Sequence, residues 1–493
     1  MRFTSTSALV SRAFWFCMTF FVVAPPLTAA DWPGFRGRNA TGVAESADKL
    51  PDDIGPKSNV IWKTALPPGH SSPAIVGDRI YLTAVRDERL FTMALARATG
   101  HTLWEVEAPH AGLEQIHRIG SHAQPSPAAD GERIVSFFGS SGLYCYSPGG
   151  DLLWKRPMGP FNNDFGAGSS PIIVDDYVVL CQDHDTDSFL TAIDKRTGQD
   201  VWRTDRSEFP RNYCTPVVWE VDGRKQIVVA ATLRVVGYDF ETGSELWTVR
   251  GLSRAVCMTP AIGGDGLLYA AGWSAGGDTG ERIQAEPFGK VAPTVDKNND
   301  GLIQENELDD SPFKQRFSQV DRDKSGALTR DEYEYYRKLF DAARNVVIAI
   351  RPGGKGDVTT SHVAWEQTRF VPFCASPLFY DGRLFTIKDG GIFSSLNAKT
   401  GKPTKQARIS ATGDYYSSPV AGDGKLYLIN VEGKLTVLRA AARWEELATA
   451  EFGEEAYATP AIVDGRIYVR TVGHLYCFGL SGAATDAAAS IGR

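Results

Sequence analysis

Between Ser170 and Arg203 the chain alternates short apolar runs with polar turns. The apolar runs fall at 172–174, 177–181, 189–193 and 201–202, separated by Asp175-Asp176, by the polar loop 182–188, and by 195–198. Runs this short, rich in β-branched and aromatic residues and punctuated by Gly and Asp, predict a four-stranded antiparallel meander. One such sheet cannot bury both its faces alone, so it needs like neighbours.

The neighbours are in the sequence. A Ser/Thr-Pro pair opens a similar unit at Ser72-Pro73, Ser126-Pro127, Ser170-Pro171, Thr215-Pro216, Thr259-Pro260, Ser376-Pro377, Ser418-Pro419 and Thr459-Pro460. Successive prolines are 54, 44, 45, 44, 117, 42 and 41 residues apart. Apart from the 117-residue gap this is the period of a propeller blade, roughly 40–50 residues. A Gly/Asp turn follows most pairs, as at Asp381-Gly382 and Asp423-Gly424, and five units close on Trp104, Trp154, Trp202, Trp247 or Trp365. Thr-Gly precedes several of these Trp residues; the sixth and seventh units carry Lys405 and Leu447 instead.

The last unit, 459–480, holds three strands, while an orphan strand ending the segment NVIWKTAL (59–66) precedes the first Ser-Pro. Pairing the two predicts an all-β, eight-bladed β-propeller (59–480) closed by an N-terminal strand, with no open sheet edge. Two stacked β-sandwiches are the alternative, but they would not require Trp at a fixed offset from the next Ser/Thr-Pro.

Residues 1–30 read as a cleaved signal peptide: Arg2 and Arg12 precede an apolar run, Ala13 to Ala24, too short to span a bilayer, which needs ~20 residues, and a small-residue site follows at Thr28-Ala29-Ala30. The mature chain is expected in the periplasm or secreted, with no membrane span. Residues 31–58, rich in Gly, Pro and Asp, are expected to wrap the outside of the ring, and 481–493 to be a disordered tail. Formal charge is −7, or −9 without Arg2 and Arg12, which gives no reason to expect nucleic acid as a partner. Of the six cysteines beyond the signal, Cys145, Cys181 and Cys477 lie in strand runs as buried apolar residues. Cys214, Cys257 and Cys374 sit just before Ser/Thr-Pro pairs and are expected at the channel entrance.

The 117-residue gap holds an insertion, 285–343, in blade five. DKNNDGLIQENE (296–307) and DRDKSGALTRDE (321–332) both follow the twelve-residue EF-hand calcium loop. Side-chain oxygens stand at positions 1, 3 and 5 (Asp296, Asn298, Asp300; Asp321, Asp323, Ser325). Gly301 and Gly326 make the sharp turn, Leu302 and Ala327 offer carbonyls, and Glu307 and Glu332 can bind with both oxygens. Calcium takes six to eight such hard ligands, and the carboxylate count predicts an affinity somewhere in ~10⁻⁶–10⁻³ M. Ile303 and Leu328 are expected to pair in a short ribbon. Ser311-Pro312 opens a helix with Phe313, Phe317 and Val320 on one face, and Tyr333, Tyr336 and Phe340 share the face of another. Pro287, Gly289 and Pro293 argue against a normal entering helix before the first loop.

The Ser/Thr-Pro opening, Asp-Gly hairpin and Thr-Gly-x-x-x-Trp closing strand resemble the PQQ-like, W-motif β-propeller repeats of exported bacterial proteins. SHAQPSP, QDHDTDSFLTAIDKRTG, EFPRNYCTP and RPGGKGDVT carry the likeness, over about 31–480. The resemblance specifies fold more than function, since the family holds both quinone-dependent dehydrogenases and a non-catalytic outer-membrane assembly propeller. The dehydrogenases keep PQQ beneath two adjacent bonded cysteines; this chain has no Cys-Cys pair and no C-x-x-C-H, which argues against PQQ. The EF-hand calcium is expected away from the funnel and so is no substitute for a quinone-side ion. Asp183-His184-Asp185 reads as a solvated turn, 353–356 (GGKG) as a hairpin turn, and no G-x-S-x-G elbow is present.

Residues just ahead of each Ser/Thr-Pro are expected to face the axis: His70, His122, Tyr213, Cys257, Cys374, Tyr416 and Tyr457. Converging rings and thiols suit a small-molecule or protein ligand at the funnel. The sequence thus points to an exported calcium-binding propeller acting by binding or scaffolding, with no catalytic residue assigned. A PQQ-dependent quinoprotein dehydrogenase is the alternative.

Overall fold

The computed structural model describes Met1 and residues 30–480 except 279, 312 and 313; the signal segment and tail read above lie outside them, as do Pro312 and Phe313. Eight antiparallel sheets form the ring. Blade three has strands Ile172–Val174, Tyr177–Gln182, Phe189–Asp194 and Asp200–Asp205, matching the apolar runs that predicted it. Innermost strands are short and outermost strands half-exposed, so burial is greatest in the two middle strands of each blade. Strand Val60–Ala65 completes blade eight beside His474–Gly479, with Trp62 opposite Cys477.

The structure shows what the repeated residues do. Trp154 lies flat against the Gly198 turn of the next blade, where an added Cβ would come within 2.8 Å of the ring, and its Nε1 donates to the Lys195 carbonyl at 2.9 Å. Trp62, Trp104, Trp202 and Trp365 repeat the contact with Gly100, Gly150, Gly243 and Gly401. The Thr-Gly turn and the Trp are therefore two halves of one interface between blades. Blade six substitutes Lys405, whose Nζ sits 3.8 Å from the ring centroid of Trp444 and donates to the Trp444 carbonyl at 2.6 Å. Asp381-Gly382, Asp423-Gly424 and Asp464-Gly465 all have positive φ at both residues, the two-residue turn that suits strand twist.

Ser/Thr-Pro has an equally specific role. The Ser72 amide donates to Ser126 Oγ at 2.9 Å, Ser126 to Ser170 at 3.0 Å, Ser170 to Thr215 at 3.0 Å and Thr215 to Thr259 at 3.1 Å. Thr259 donates to Ser376, Ser376 to Ser418, Ser418 to Thr459 and Thr459 back to Ser72, all at 3.0 Å. Eight bonds thus close a circle around the axis, each satisfying a buried amide at the start of an inner strand.

Four expectations need correction. Residues 31–58 do not wrap the outside throughout. The segment is beside an outer strand at Gly55, next to Ala450, but its first part follows inner strands, pairing Trp32 with Ile75, bonding Asn39 to Val218 and pairing Val43 with Ala421. Inner-strand edges there have free amides and carbonyls, which an extended polar segment can satisfy. Helix α1 (Phe288–Val295) does form before the first calcium loop despite Pro293. With eight residues it loses one internal bond there, while Phe288 and Ala292 are buried, Phe288 edge-on to Tyr333. Residues 353–356 are not a tight hairpin: Gly356-Asp357 runs parallel to the outer strand of blade four, and a helical turn, Thr359–His362, precedes the strand of Trp365. Asp183-His184-Asp185 is buried, not solvated, because Arg206 and Arg211 pair with its two carboxylates.

Candidate functional site

A cavity of about 360 Å³ occupies the channel, and all eight Ser/Thr residues of the hydrogen-bonded circle line it. Phe35, from the crossing segment, lines it as well. His70, Tyr213, Cys257, Cys374, Tyr416 and Tyr457 are in the wall, brought together because each precedes an inner strand on a different blade. His122 is not; its Nε2 lies 2.7 Å from the Glu114 carbonyl. Cys214, expected at the entrance, is instead buried in the blade-four core, since the chain turns Tyr213 inward and its neighbour outward.

Aromatic side chains and the Ser/Thr circle share the wall. His70 stacks on Tyr457 with centroids 3.9 Å apart, Tyr416 lies near Tyr457 and Phe373, and Trp273 meets Phe373 edge-on at 4.7 Å. Burial, with Arg470 adding to it, depresses the His70 pKa to about 3, so its imidazole is neutral at ordinary pH. The Cys257 thiol bonds that of Cys374 and, with burial, holds it well above the usual thiol range. The Cys374 sulfur is therefore no ready thiolate.

The insertion stands at the mouth rather than away from the funnel. Helix α2 (Phe317–Val320) contributes Gln319 to the cavity wall, and α3 (Arg330–Ala342) contributes Tyr336. Arg322, next to the second calcium loop's first ligand, donates to the Asp185 carbonyl at 2.6 Å, and Tyr335 to the Glu208 carbonyl at 2.8 Å. The insertion's own core gathers Ile303, Leu328, Val320 and Phe340, with Ile303 and Leu328 paired as a ribbon. Sequence reasoning found the loops but missed Gln319, Tyr336, Trp273, Phe165 and Arg254. These come from segments whose docking no repeat spacing encodes.

The two twelve-residue acidic loops are each held by backbone amides bonding to their own carboxylates. In the second, carboxylate oxygens of Asp321, Asp323 and Glu332 lie within 4.8 Å of one another. Gly326 and Ser325 amides hold Asp321, and the Arg322 amide holds Glu332 Oε1 at 2.9 Å. In the first, Gly301 N–H reaches Asp296 Oδ2 at 3.0 Å and Lys297 N–H reaches Glu307 Oε1 at 2.9 Å. Asp296 Oδ1 is buried without a hydrogen-bond partner, as a ligand awaiting a cation would be. Both glycines at position 6 have φ near 82–84°, closed to other residues without strain. The donor set is all oxygen and fits a hard divalent cation.

No individual curated protein sequence matches the chain. Its fold is shared with BamB from Moraxella catarrhalis (13% identity, TM-score 0.51, 85% of this chain and 100% of that one). It is also shared with the quinohemoprotein alcohol dehydrogenase of Comamonas testosteroni (12%, 0.53, 92% and 81%) and with the computationally designed Ika8 protein (12%, 0.54, 86% and 100%). Among the described residues no helix is long and apolar enough to cross a membrane. The family profile described as outer membrane protein assembly factor BamB matches residues 56–162, 93–276 and 340–491, leaving the insertion out, and the chain belongs to this PQQ-repeat propeller family.

Proposed function

We propose that the protein is an exported, calcium-binding propeller whose channel holds a ligand, and that it acts by binding rather than by catalysis. The observation that carries this reading is the cavity built jointly by the ring and the insertion. An aromatic wall around a few polar groups is the usual composition of a ligand site. Asp296, Asn298, Asp300, Leu302 and Glu307 hold one calcium; Asp321, Asp323, Ser325, Ala327 and Glu332 hold the other. Calcium supplies the positive charge that lets these carboxylates sit together, and so fixes α2 and α3 at the mouth. Export is supported by the sequence of residues 1–30 and by the outer-membrane role in the family's description.

Fluorescence titration with 2-naphthamide, a neutral aromatic probe, tests the cavity. Saturable binding is expected for the native chain and its loss for Ala255→Trp, which fills the wall; equal behaviour of the two overturns the reading. Incubation with PQQ and calcium tests the rejected chemistry. Stoichiometric bound cofactor with alcohol-dependent dye reduction would replace the binding role by a dehydrogenase.

A further inference from the structure

The chain is acidic overall, yet the cavity wall contains no aspartate or glutamate and two arginines, Arg211 and Arg254. The two arginines differ. Arg211 is clamped by Asp185 and Asp164, each at 2.5 Å, and against the effect of burial this holds it above its ordinary pKa. Arg254 has no acidic partner within salt-bridge distance among the described residues. Its Nη1 donates to Gln319 Oε1 at 3.2 Å, its guanidinium lies 5.5 Å from the centroid of Phe340, and its Nε is shielded from water without any partner. Burial, with Arg316 and Arg211 adding like charge, lowers its pKa to about 10, so it remains a cation at neutral pH. A sequestered guanidinium lacking a counter-charge is an unfavourable arrangement that an anion would relieve.

The rest of the wall has the same polarity. Each Ser/Thr hydroxyl of the circle accepts an amide N–H. An accepted N–H polarises a hydroxyl towards donating. Beside the circle, buried Arg36 bonds the Pro377 carbonyl through Nη2, while its Nε and Nη1 lack partners. The cavity wall thus combines cations and hydroxyls with no carboxylate, beside the rings of Phe165, Tyr213, Trp273 and Tyr416.

We propose that the channel selects a flat aromatic carboxylate, with Arg254, positioned by Gln319 of the insertion, taking the carboxylate group. This rests on the ligand-binding reading above and names its ligand class. Arg–carboxylate pairing is frequently bidentate and strong in a partly buried setting, and no charge within the wall competes for it.

The test compares 2-naphthoate with 2-naphthamide, which share a ring system and differ in charge, by fluorescence titration at low and high salt. The native chain is expected to bind naphthoate about tenfold tighter or more, a preference that shrinks with salt. Arg254→Gln is expected to reduce that preference to near unity with the naphthamide Kd unchanged, which also shows that the variant is folded; Arg254→Lys should retain part of it. Equal binding of the two probes by the native chain, or an undiminished preference in Arg254→Gln, overturns the assignment while leaving the cavity a binding site. Saturable binding of neither probe overturns the ligand-binding reading, and this one with it.

Discussion

The ring and the insertion are stabilised in opposite ways. The ring repeats one interface eight times: buried middle strands, indole against glycine on most blades, and a circle of amide-to-hydroxyl bonds. It needs no ion. Among its described residues the insertion has three short helices, a two-residue ribbon and a small core, and in its second acidic loop the carboxylates of Asp321, Asp323 and Glu332 crowd together. Both supply the same cavity wall. The repeated frame thus supplies one side of the site, and the insertion supplies the other.

The comparison breaks most severely at the ring core. Ile467→Ala in blade eight removes a fully buried side chain and should cost about 2–5 kcal/mol, lowering the main calorimetric transition equally with and without calcium. If calcium rescued it, the two regions would not be separable. Next in size is the ion itself. Calcium at a hundredfold excess over Kd should stabilise the insertion by about 2.7 kcal/mol, read as protection of 285–343 from proteolysis, and Asp296→Ala with Asp321→Ala should abolish the effect. Unchanged proteolysis with calcium or EGTA would count against ion-linked ordering. Ser126→Ala strands the buried Ser72 amide and should cost about 1–3 kcal/mol, again on the calcium-independent transition.

The smallest effect is a slope. His70 has a folded pKa of about 3 against an ordinary 6.5. Below pH 6.5 the unfolded chain takes up a proton that the folded one refuses, so the stability due to a neutral His70 is complete above 6.5 and declines as pH falls towards 3. His70→Gln should therefore show a shallower acid loss than the native chain over that window. Parallel curves would mean that the imidazole is freely hydrated.

Repeat spacing made the blades, their number and the closing strand legible, because each blade faces the same packing problem and solves it with the same residues. The two twelve-residue acidic loops were legible because their turn glycines and carboxylate spacing are local to the sequence. Spacing also placed His70, Tyr213 and Cys374 at the axis, but it could not tell that the chain turns Cys214 outward, since adjacent residues at a strand start point opposite ways. Asp183 and Asp185 looked solvated because their partners, Arg206 and Arg211, lie in the next connection and only folding brings them near. Arg254 carried no signal at all. Its meaning comes from the carboxylates that are missing around it, which is a property of space and not of order along the chain.

The pairing of Val60–Ala65 with His474–Gly479 has a consequence for synthesis. Among the described residues the first strand finds its only ladder partner in the last, more than four hundred positions later, so the ring stays open until that last strand has been made. A nascent chain prevented from premature closure by its own topology remains threadable, and a transcript cut short anywhere before residue 474 yields an arc with two bare rims, ready for degradation or for another chain.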